Sequence, residues 1–338
     1  MKEELLKNKE LFDQYILVAP GSDYGNIMWQ DIGLLDKAIM LENPLKSNNK
    51  LIRLIHHVHF SFLINNRVQL PCQSIWKRKY SFSDVNFELK KKYCIIFTDV
   101  SACRVDYKTL SDLQKKSNVT MVLTLVNTMF RRGNVIKNRL SCFDLVYTFD
   151  KRDADKFNFI YHQNFYSPQK LFPEGRKTDA FYVGVSKGRS SKLNSIYEKI
   201  IQNSGKAEFY ISGVNRKEMI QPGIHYNKWI SYSDTLKYIA ETGCIVEVMD
   251  GEQEGVTLRT MEAICYNKKL LTNNSSVRNL PFYKSGNIQV FKEINEIDVE
   301  FIKDNRVVEY KYSDEFSPVH LIDEINNDIL KIKNVDKL

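Results

Sequence analysis

Short runs of apolar and β-branched residues alternate along this chain with segments whose apolar positions recur every three to four residues. A strand buried on both faces reads as a continuous apolar run, and a surface helix carries a single apolar stripe, so the alternation predicts parallel strands joined by crossover helices. In the first half, strands are expected at Tyr15–Ala19, Tyr93–Thr98, Thr120–Leu125 and Leu145–Phe149, with helices near Asp31–Met40, Asn49–Ile64 and Tyr107–Lys116. The pattern then restarts. Strands are expected at Ala180–Val185, Ala207–Ile211, Cys244–Val248 and Lys269–Thr272, and helices at Ser190–Asn203, Tyr232–Thr242 and Val256–Tyr266. Pro168, Pro173 and Gly175 punctuate a polar linker near Ser167–Lys177. The reading is α/β, with domains at 1–170 and 171–315 and a last helix within 316–338 whose place the pattern does not fix.

A chain of 338 residues suits two such domains better than one, and 43% hydrophobic residues can fill two cores. No apolar run approaches the roughly 20 residues that span a bilayer. The start, MKEELLKNKELFDQY, is charged and amphipathic without an apolar segment of the secretory kind. The six cysteines are scattered, with no C-x-x-C pair, and several fall inside apolar runs. A reduced, cytoplasmic protein is expected. The net charge of +8 is uneven: residues 1–170 carry 26 Lys+Arg against 17 Asp+Glu, and residues 171–338 carry 23 against 24. The excess is densest at Trp76–Tyr80 and Lys90–Lys92, where basic residues stand beside aromatics. Such clusters suit an anionic surface, and a plain solvated lysine-rich face is the alternative. With no nucleic-acid-binding motif in the chain, a membrane face or a lipid-linked substrate is expected, and nucleic acid is not.

Two segments carry candidate chemistry. In the stretch from Trp229 to Asn274, the loop Asp250-Gly251-Glu252-Gln253-Glu254-Gly255 follows an expected strand and leads into an expected helix. Gly255 lets the backbone turn tightly. The amides of Val256, Thr257 and Leu258 would open that helix, a setting suited to a diphosphate. Arg259 stands on the first turn, where the helix dipole disfavours a cation unless an anion is bound, and Glu262 follows one turn later. The other segment is Tyr182-Val183-Gly184-Val185-Ser186-Lys187-Gly188-Arg189. Gly184 and Gly188 permit close backbone approach, Lys187 supplies a point charge, and Arg189 offers a planar fork for phosphate oxygens. It lacks the spacing of a P-loop.

The order of pieces in the Trp229–Asn274 stretch resembles the donor-binding core of GT-B glycosyltransferases, especially bacterial enzymes of surface-polysaccharide (capsule and lipopolysaccharide) biosynthesis. The likeness covers roughly residues 179–291. It implies the GT-B fold, two Rossmann-like domains facing each other across a cleft. It also implies a nucleotide-sugar donor, a UDP-sugar foremost, and a glycan or lipid-linked oligosaccharide acceptor. By the same likeness Glu262 would receive the ribose hydroxyls, Lys187 and Arg189 would face the diphosphate, and the loop Trp229–Tyr232 would hold the base, with Trp229 or Tyr232 stacking on it. Glu254 and Glu262 have the E-x7-E spacing of many retaining members. Glu252, Gln253 and Glu254 all remain open as the sugar contact.

Weaker candidates complete the picture. Asp153-Ala154-Asp155 has a metal-like D-x-D spacing but stands at an expected helix start, which favours capping. No metal or other cofactor is expected to be required. His56, His57 and His59 lack acidic or cysteine partners, and packed or surface roles are expected of them. An inverting transferase would need a general base, for which Asp23, in the loop after the first expected strand, and Asp99, at the end of the expected Tyr93–Thr98 strand, are both candidates. The loop Gly21–Asn26 resembles the opening of polysaccharide pyruvyltransferases, a rival class, and a non-catalytic GT-B module that binds glycan or a partner enzyme is the other.

Overall fold

A computed structural model describes residues 2–6, 11–65, 67–68, 70–172, 175–249 and 255–335. The chain forms two compact units, Met1–Ser167 with Phe316–Leu338, and Pro168–Glu315.

The first unit holds a six-stranded sheet of β1 (Gln14–Val18), β2 (Ala38–Leu41), β3 (Tyr93–Thr98), β4 (Val119–Leu125), β5 (Leu145–Thr148) and β6 (Ile160–Tyr161), in the spatial order β2-β1-β3-β4-β5-β6. All pairings are parallel, with Ile16 opposite Ile95 and Ile95 opposite Met121. Every residue of β3 is buried, as its unbroken apolar run requires. Its core combines Ile16, Ile95, Phe97, Met121 and Leu123 with Tyr80 and Phe82. Helix starts are capped as their sequences dictate: Asn49 accepts from the amides of Leu51 and Ile52, and Asp106 from Thr109.

The last helix, Val319–Val335, belongs to this first unit. Tyr15 donates to Asn326 Oδ1 at 2.7 Å, Tyr147 to Asp328 at 2.9 Å, and Ser317 to Asp31 at 2.7 Å. These polar anchors inside an apolar contact explain why periodicity alone could not place the helix.

The second unit repeats the design with β7 (Thr178–Val185), β8 (Ala207–Ser212), β9 (His225–Tyr226), β10 (Thr242–Glu247), β11 (Lys269–Thr272) and β12 (Ile288–Val290), in the order β12-β11-β10-β7-β8-β9. All pairings are again parallel. Lys269 looks misplaced in an apolar strand. Its buried ammonium donates to the carbonyls of Phe301, Ile302 and Asp304 at 2.5–2.8 Å, closing the end of the Val299–Lys303 helix where the dipole favours a cation.

The α/β class and two Rossmann-like domains are therefore present. Two expectations fail. The helix expected at Asp31–Met40 is a 3-10 turn, Gln30–Leu34, followed by edge strand β2. Gly33 and Asp36 interrupt the helical pattern, and Ala38–Leu41 finds its hydrogen bonds on β1 instead. The helix expected at Asn49–Ile64 is Lys50–His59, then a break where Phe60 turns into the core, then Phe62–Asn65. All six cysteines are free thiols. Among the described residues no helix is long and apolar enough to cross a membrane.

Candidate functional site

Numbered from β7 as the first strand, the second unit runs 6-5-4-1-2-3, so consecutive crossovers leave β7 in opposite directions. The carboxyl ends of β7 and β10 then diverge at a topological switch point, where doubly wound sheets receive ligands. The candidate residues of both sequence segments gather there.

After β7 the chain turns through Ser186–Arg189, with positive φ at Lys187 (49°) and Gly188 (81°) and the Arg189 amide donating to the Ser186 carbonyl at 2.9 Å. Lys187 and Gly188 stand exposed at the tip. Arg189 does not extend as an open fork. It donates to the carbonyls of Ser186 at 2.9 Å and Val185 at 2.7 Å, and through Nη1 to that of Val248, fastening the end of β7 to the end of β10.

Arg259 makes the reciprocal reach. From the first turn of the Leu258–Cys265 helix it donates through Nε (3.1 Å) and Nη2 to the Val183 carbonyl, with its guanidinium carbon 4.8 Å from the centre of the Tyr182 ring. Gly184 makes this possible, because a Cβ there would lie 2.1 Å from Arg259 Nη2. The Tyr182 hydroxyl would be 3.2 Å from that same Cβ position. It is buried and has no hydrogen-bond partner among the described residues. A buried polar group left unpartnered is rare in a packed core.

The helix itself starts two residues later than expected. Thr257 adopts an extended conformation and acts as N-cap, accepting from the Thr260 amide. The first-turn amides are therefore those of Leu258, Arg259 and Thr260, rather than Val256, Thr257 and Leu258. Gly255, with φ of 135°, supplies the turn before it.

Sequence reasoning missed the residue that holds this helix in place. Glu247, wholly buried at the end of β10, accepts hydroxyl hydrogen bonds from Thr257, from Thr260 at 2.9 Å and from Thr272 at 2.5 Å. A glutamate closing an apolar run, with threonines three apart on the next helix and one ending the next strand, was the available signal. Asn273 exchanges hydrogen bonds with both backbone groups of Met249, and Asn274 donates to the Gly255 carbonyl at 2.9 Å. Both ends of the acidic loop are thus fixed to the end of β11. Glu254, like Glu252 and Gln253, lies outside the described residues.

Glu262 is buried and accepts from the Tyr232 hydroxyl at 2.8 Å. Burial pushes its pKa up to about 7, against the smaller lowering influence of the Tyr232 hydrogen bond and of Arg259. Tyr232 itself is buried at the start of the Tyr232–Glu241 helix, so its ring is not displayed for stacking. Trp229, in the loop after β9 at the same edge of the sheet, is exposed.

The first unit has the order 2-1-3-4-5-6, with its switch point between β1 and β3. Beside the carboxyl ends of β1 and β2 lies a cavity of about 800 Å³, lined among others by Gly21, Asp23, Glu42, Asn43, Lys46 and Arg53. A smaller one of about 420 Å³ shares Gly21, Asn43, Leu45 and Arg53 with it and adds Lys50, His57 and Arg104. Asp23 is exposed at the larger cavity. Asp99 is fully buried, accepting from the Val126 amide at 2.9 Å and from Asn127 Nδ2 at 3.0 Å, which binds the end of β3 to the loop after β4. Of the D-x-D pair, Asp153 accepts from the Met129 amide at 2.6 Å and Asp155 is exposed, while the cap of their helix is Asp150, outside the pair.

A scan against protein-family models finds no match. A search of curated proteins finds none either. Among solved structures, an alpha-glucosyltransferase in complex with UDP and a 13-mer DNA matches with 12% identity over 86% of this chain and 89% of that one, at a TM-score of 0.49. A putative UDP-N-acetylglucosamine 2-epimerase from Listeria monocytogenes matches with 7% identity over 94% of this chain and 96% of that one, at 0.48. The T4 phage BGT in complex with its UDP-glucose substrate matches with 12% identity over 96% of each chain, at 0.45. At these identities and TM-scores the likenesses carry no conclusion about site or substrate.

Proposed function

We propose that this protein is a glycosyltransferase that binds a nucleoside-diphosphate sugar, a UDP-sugar foremost, at the β7/β10 switch point of its second unit. The observation that carries the reading is the meeting there of Arg259 packed over Gly184, the Tyr182 hydroxyl left without a partner among the described residues and the start of the Leu258–Cys265 helix. As the bond from the sugar's anomeric carbon to the diphosphate breaks, the electron pair leaves with the nucleoside diphosphate. In this reading Arg259, Lys187 and the first amides of the helix meet that developing charge. Arg189 serves this site by fixing its frame, and Glu262 receives the ribose hydroxyls.

The acceptor hydroxyl attacks the anomeric carbon and gives up its proton to a general base, the role we assign to Asp23, an exposed carboxylate of the first unit's cavity. The reaction needs no metal ion. The acceptor class we infer is a glycan or lipid-linked oligosaccharide of the kind used in surface-polysaccharide assembly. Duplex DNA belongs in the acceptor panel too, since absence of a motif tests only for known modules and the basic surface suits any polyanion.

Thermal melting with UDP-, GDP-, dTDP- and CMP-sugars provides the test, repeated for Arg259→Ala and in the presence of EDTA. A UDP-sugar should raise Tm and be hydrolysed slowly, Arg259→Ala should remove both effects, and EDTA should change neither. Indifference to every nucleotide sugar, with stabilisation by phosphoenolpyruvate, would transfer the protein to the pyruvyl-transfer class. Binding without any turnover would make it a non-catalytic module.

A further inference from the structure

From Asn43 to Ser83 the chain carries seven lysines and arginines and no aspartate or glutamate. The Lys50–His59 helix lies within this stretch, and its side chains divide among three faces. Ile52 and His56 turn inward. Ile52 packs on the core, and His56 sits 4.7 Å from the Phe60 ring and 4.9 Å from that of Trp76, with its pKa lowered to about 4 chiefly by burial. Lys50, Arg53 and His57 form a basic edge that lines the smaller cavity. Leu51, Leu54, Ile55 and Val58 occupy the third face at the i, i+3, i+4, i+7 spacing of a single stripe, and they are 64%, 59%, 50% and 49% exposed. Leu63 and Val68, further along the same acid-free stretch, are exposed as well.

A single exposed leucine on a protein surface needs no explanation, but a complete apolar stripe left in water does. Its surroundings select the occupant. Arg78 and Lys79 are exposed nearby in the sequence, while Lys77 and Lys46 pair with Asp112 and Asp84 from outside the stretch. A second copy of this chain would set the positive surface against itself. A nucleic-acid backbone would satisfy the charges and leave four aliphatic side chains without partners. An anionic bilayer satisfies both at once, with aliphatic residues entering the headgroup boundary and cations meeting lipid phosphates.

We propose that this face of the first unit seats on an anionic lipid bilayer, with the Lys50–His59 helix lying in the interface. Leu54 belongs both to the stripe and to the lining of the smaller cavity, so seating brings that cavity's basic edge to the level of the lipid headgroups. An acceptor carried on lipid would then reach Lys50, Arg53 and His57 without leaving the membrane. The surface and the proposed nucleotide site belong to different units of the chain, and each is tested without the other.

Flotation of the full chain with vesicles is the experiment, using phosphatidylcholine alone and phosphatidylcholine mixed with phosphatidylglycerol. The wild type should float with the anionic vesicles only. The triple variant Leu51→Ser, Ile55→Ser, Val58→Ser should partition about tenfold less, and Arg78→Glu with Lys79→Glu should weaken binding about as much at low salt. These side chains are exposed, so thermal melting and UDP-sugar binding should match the wild type, which separates loss of seating from loss of fold or of the donor site. The inference is overturned if the wild type floats with neither vesicle, if the triple variant floats like the wild type, or if duplex DNA is bound and vesicles are not. A concentration-dependent dimer that the triple variant abolishes would assign the stripe to self-association and overturn it equally.

Discussion

At the switch point of the second unit, charged side chains are tied to backbone carbonyls and buried hydroxyls. At the cavity of the first unit, Asp23, Glu42, Lys46 and Arg53 line open space. Arg189 and Arg259 each cross from one strand end to another, and Glu247 gathers three threonines behind them. In the first unit the equivalent bracing falls to Asp99, buried away from the cavity lining. The contrast separates two tasks. In the proposed function the braced site receives a diphosphate, and such a site gains by fixing its side chains during folding rather than at binding. An acceptor site that must admit a larger polar molecule keeps its side chains in water.

The largest effect expected from this comparison is at Glu247. Replacement by alanine leaves the hydroxyls of Thr257, Thr260 and Thr272 without their shared acceptor and opens a void beneath the helix start. We expect Glu247→Ala to cost about 3–5 kcal/mol in urea unfolding followed by circular dichroism. A cost near that of a surface substitution would mean that the second unit is not braced in this way, and the contrast would fail.

The next effect is a pH dependence. Glu262 has its pKa raised in the folded protein to about 7, above its ordinary value of 4.5. Below 4.5 it is protonated in both states and contributes no difference. Between 4.5 and 7 the folded protein holds a proton that the unfolded chain has released, so stability declines with rising pH and levels off above 7. The full span corresponds to about 3 kcal/mol. Glu262→Gln should remove this slope, so its stability relative to wild type should rise by about that amount between pH 4.5 and 8. Parallel curves for the two proteins would show that the Glu262 carboxyl is already ionised in the fold.

Long buried strands and capped helices were legible in the sequence because each follows one local rule. Tyr93–Thr98 and Lys269–Thr272 were read to the residue, and Ser190–Gln202 to within one. The edge strands β2, β6, β9 and β12 were missed. They are two to four residues long, too short for a period to show, and they exist because a neighbouring strand offers hydrogen bonds. The site divides in the same way. Gly184, Arg259 and Glu262 could be singled out from a strand, a glycine and a helix start in succession. That Arg259 fills the space over Gly184, that Arg189 faces carbonyls, and that Tyr232 covers Glu262 depend on contacts across 30 to 76 positions, which no local pattern encodes. The choice between Asp23 and Asp99 was of this kind, since both open a helix after a strand and burial separates them.

That pair supplies the smallest expected change in stability and the sharpest test of the acceptor side. Asp23 is exposed, and among the described residues no partner depends on its charge in the way Val126 and Asn127 depend on Asp99. Asp23→Asn should therefore move unfolding by less than about 0.5 kcal/mol while lowering kcat by about a hundredfold or more, as loss of a general base does. The KM for the nucleotide sugar should be unchanged, because the proposed donor site is on the other unit. Asp99→Asn should show the reverse balance, a clear loss of stability with any surviving folded protein still turning over. If instead Asp23→Asn keeps its rate and Asp99→Asn loses it without unfolding, the base sits at the braced position. The division between a rigid donor site and an adaptable acceptor site would then have to be redrawn inside the first unit.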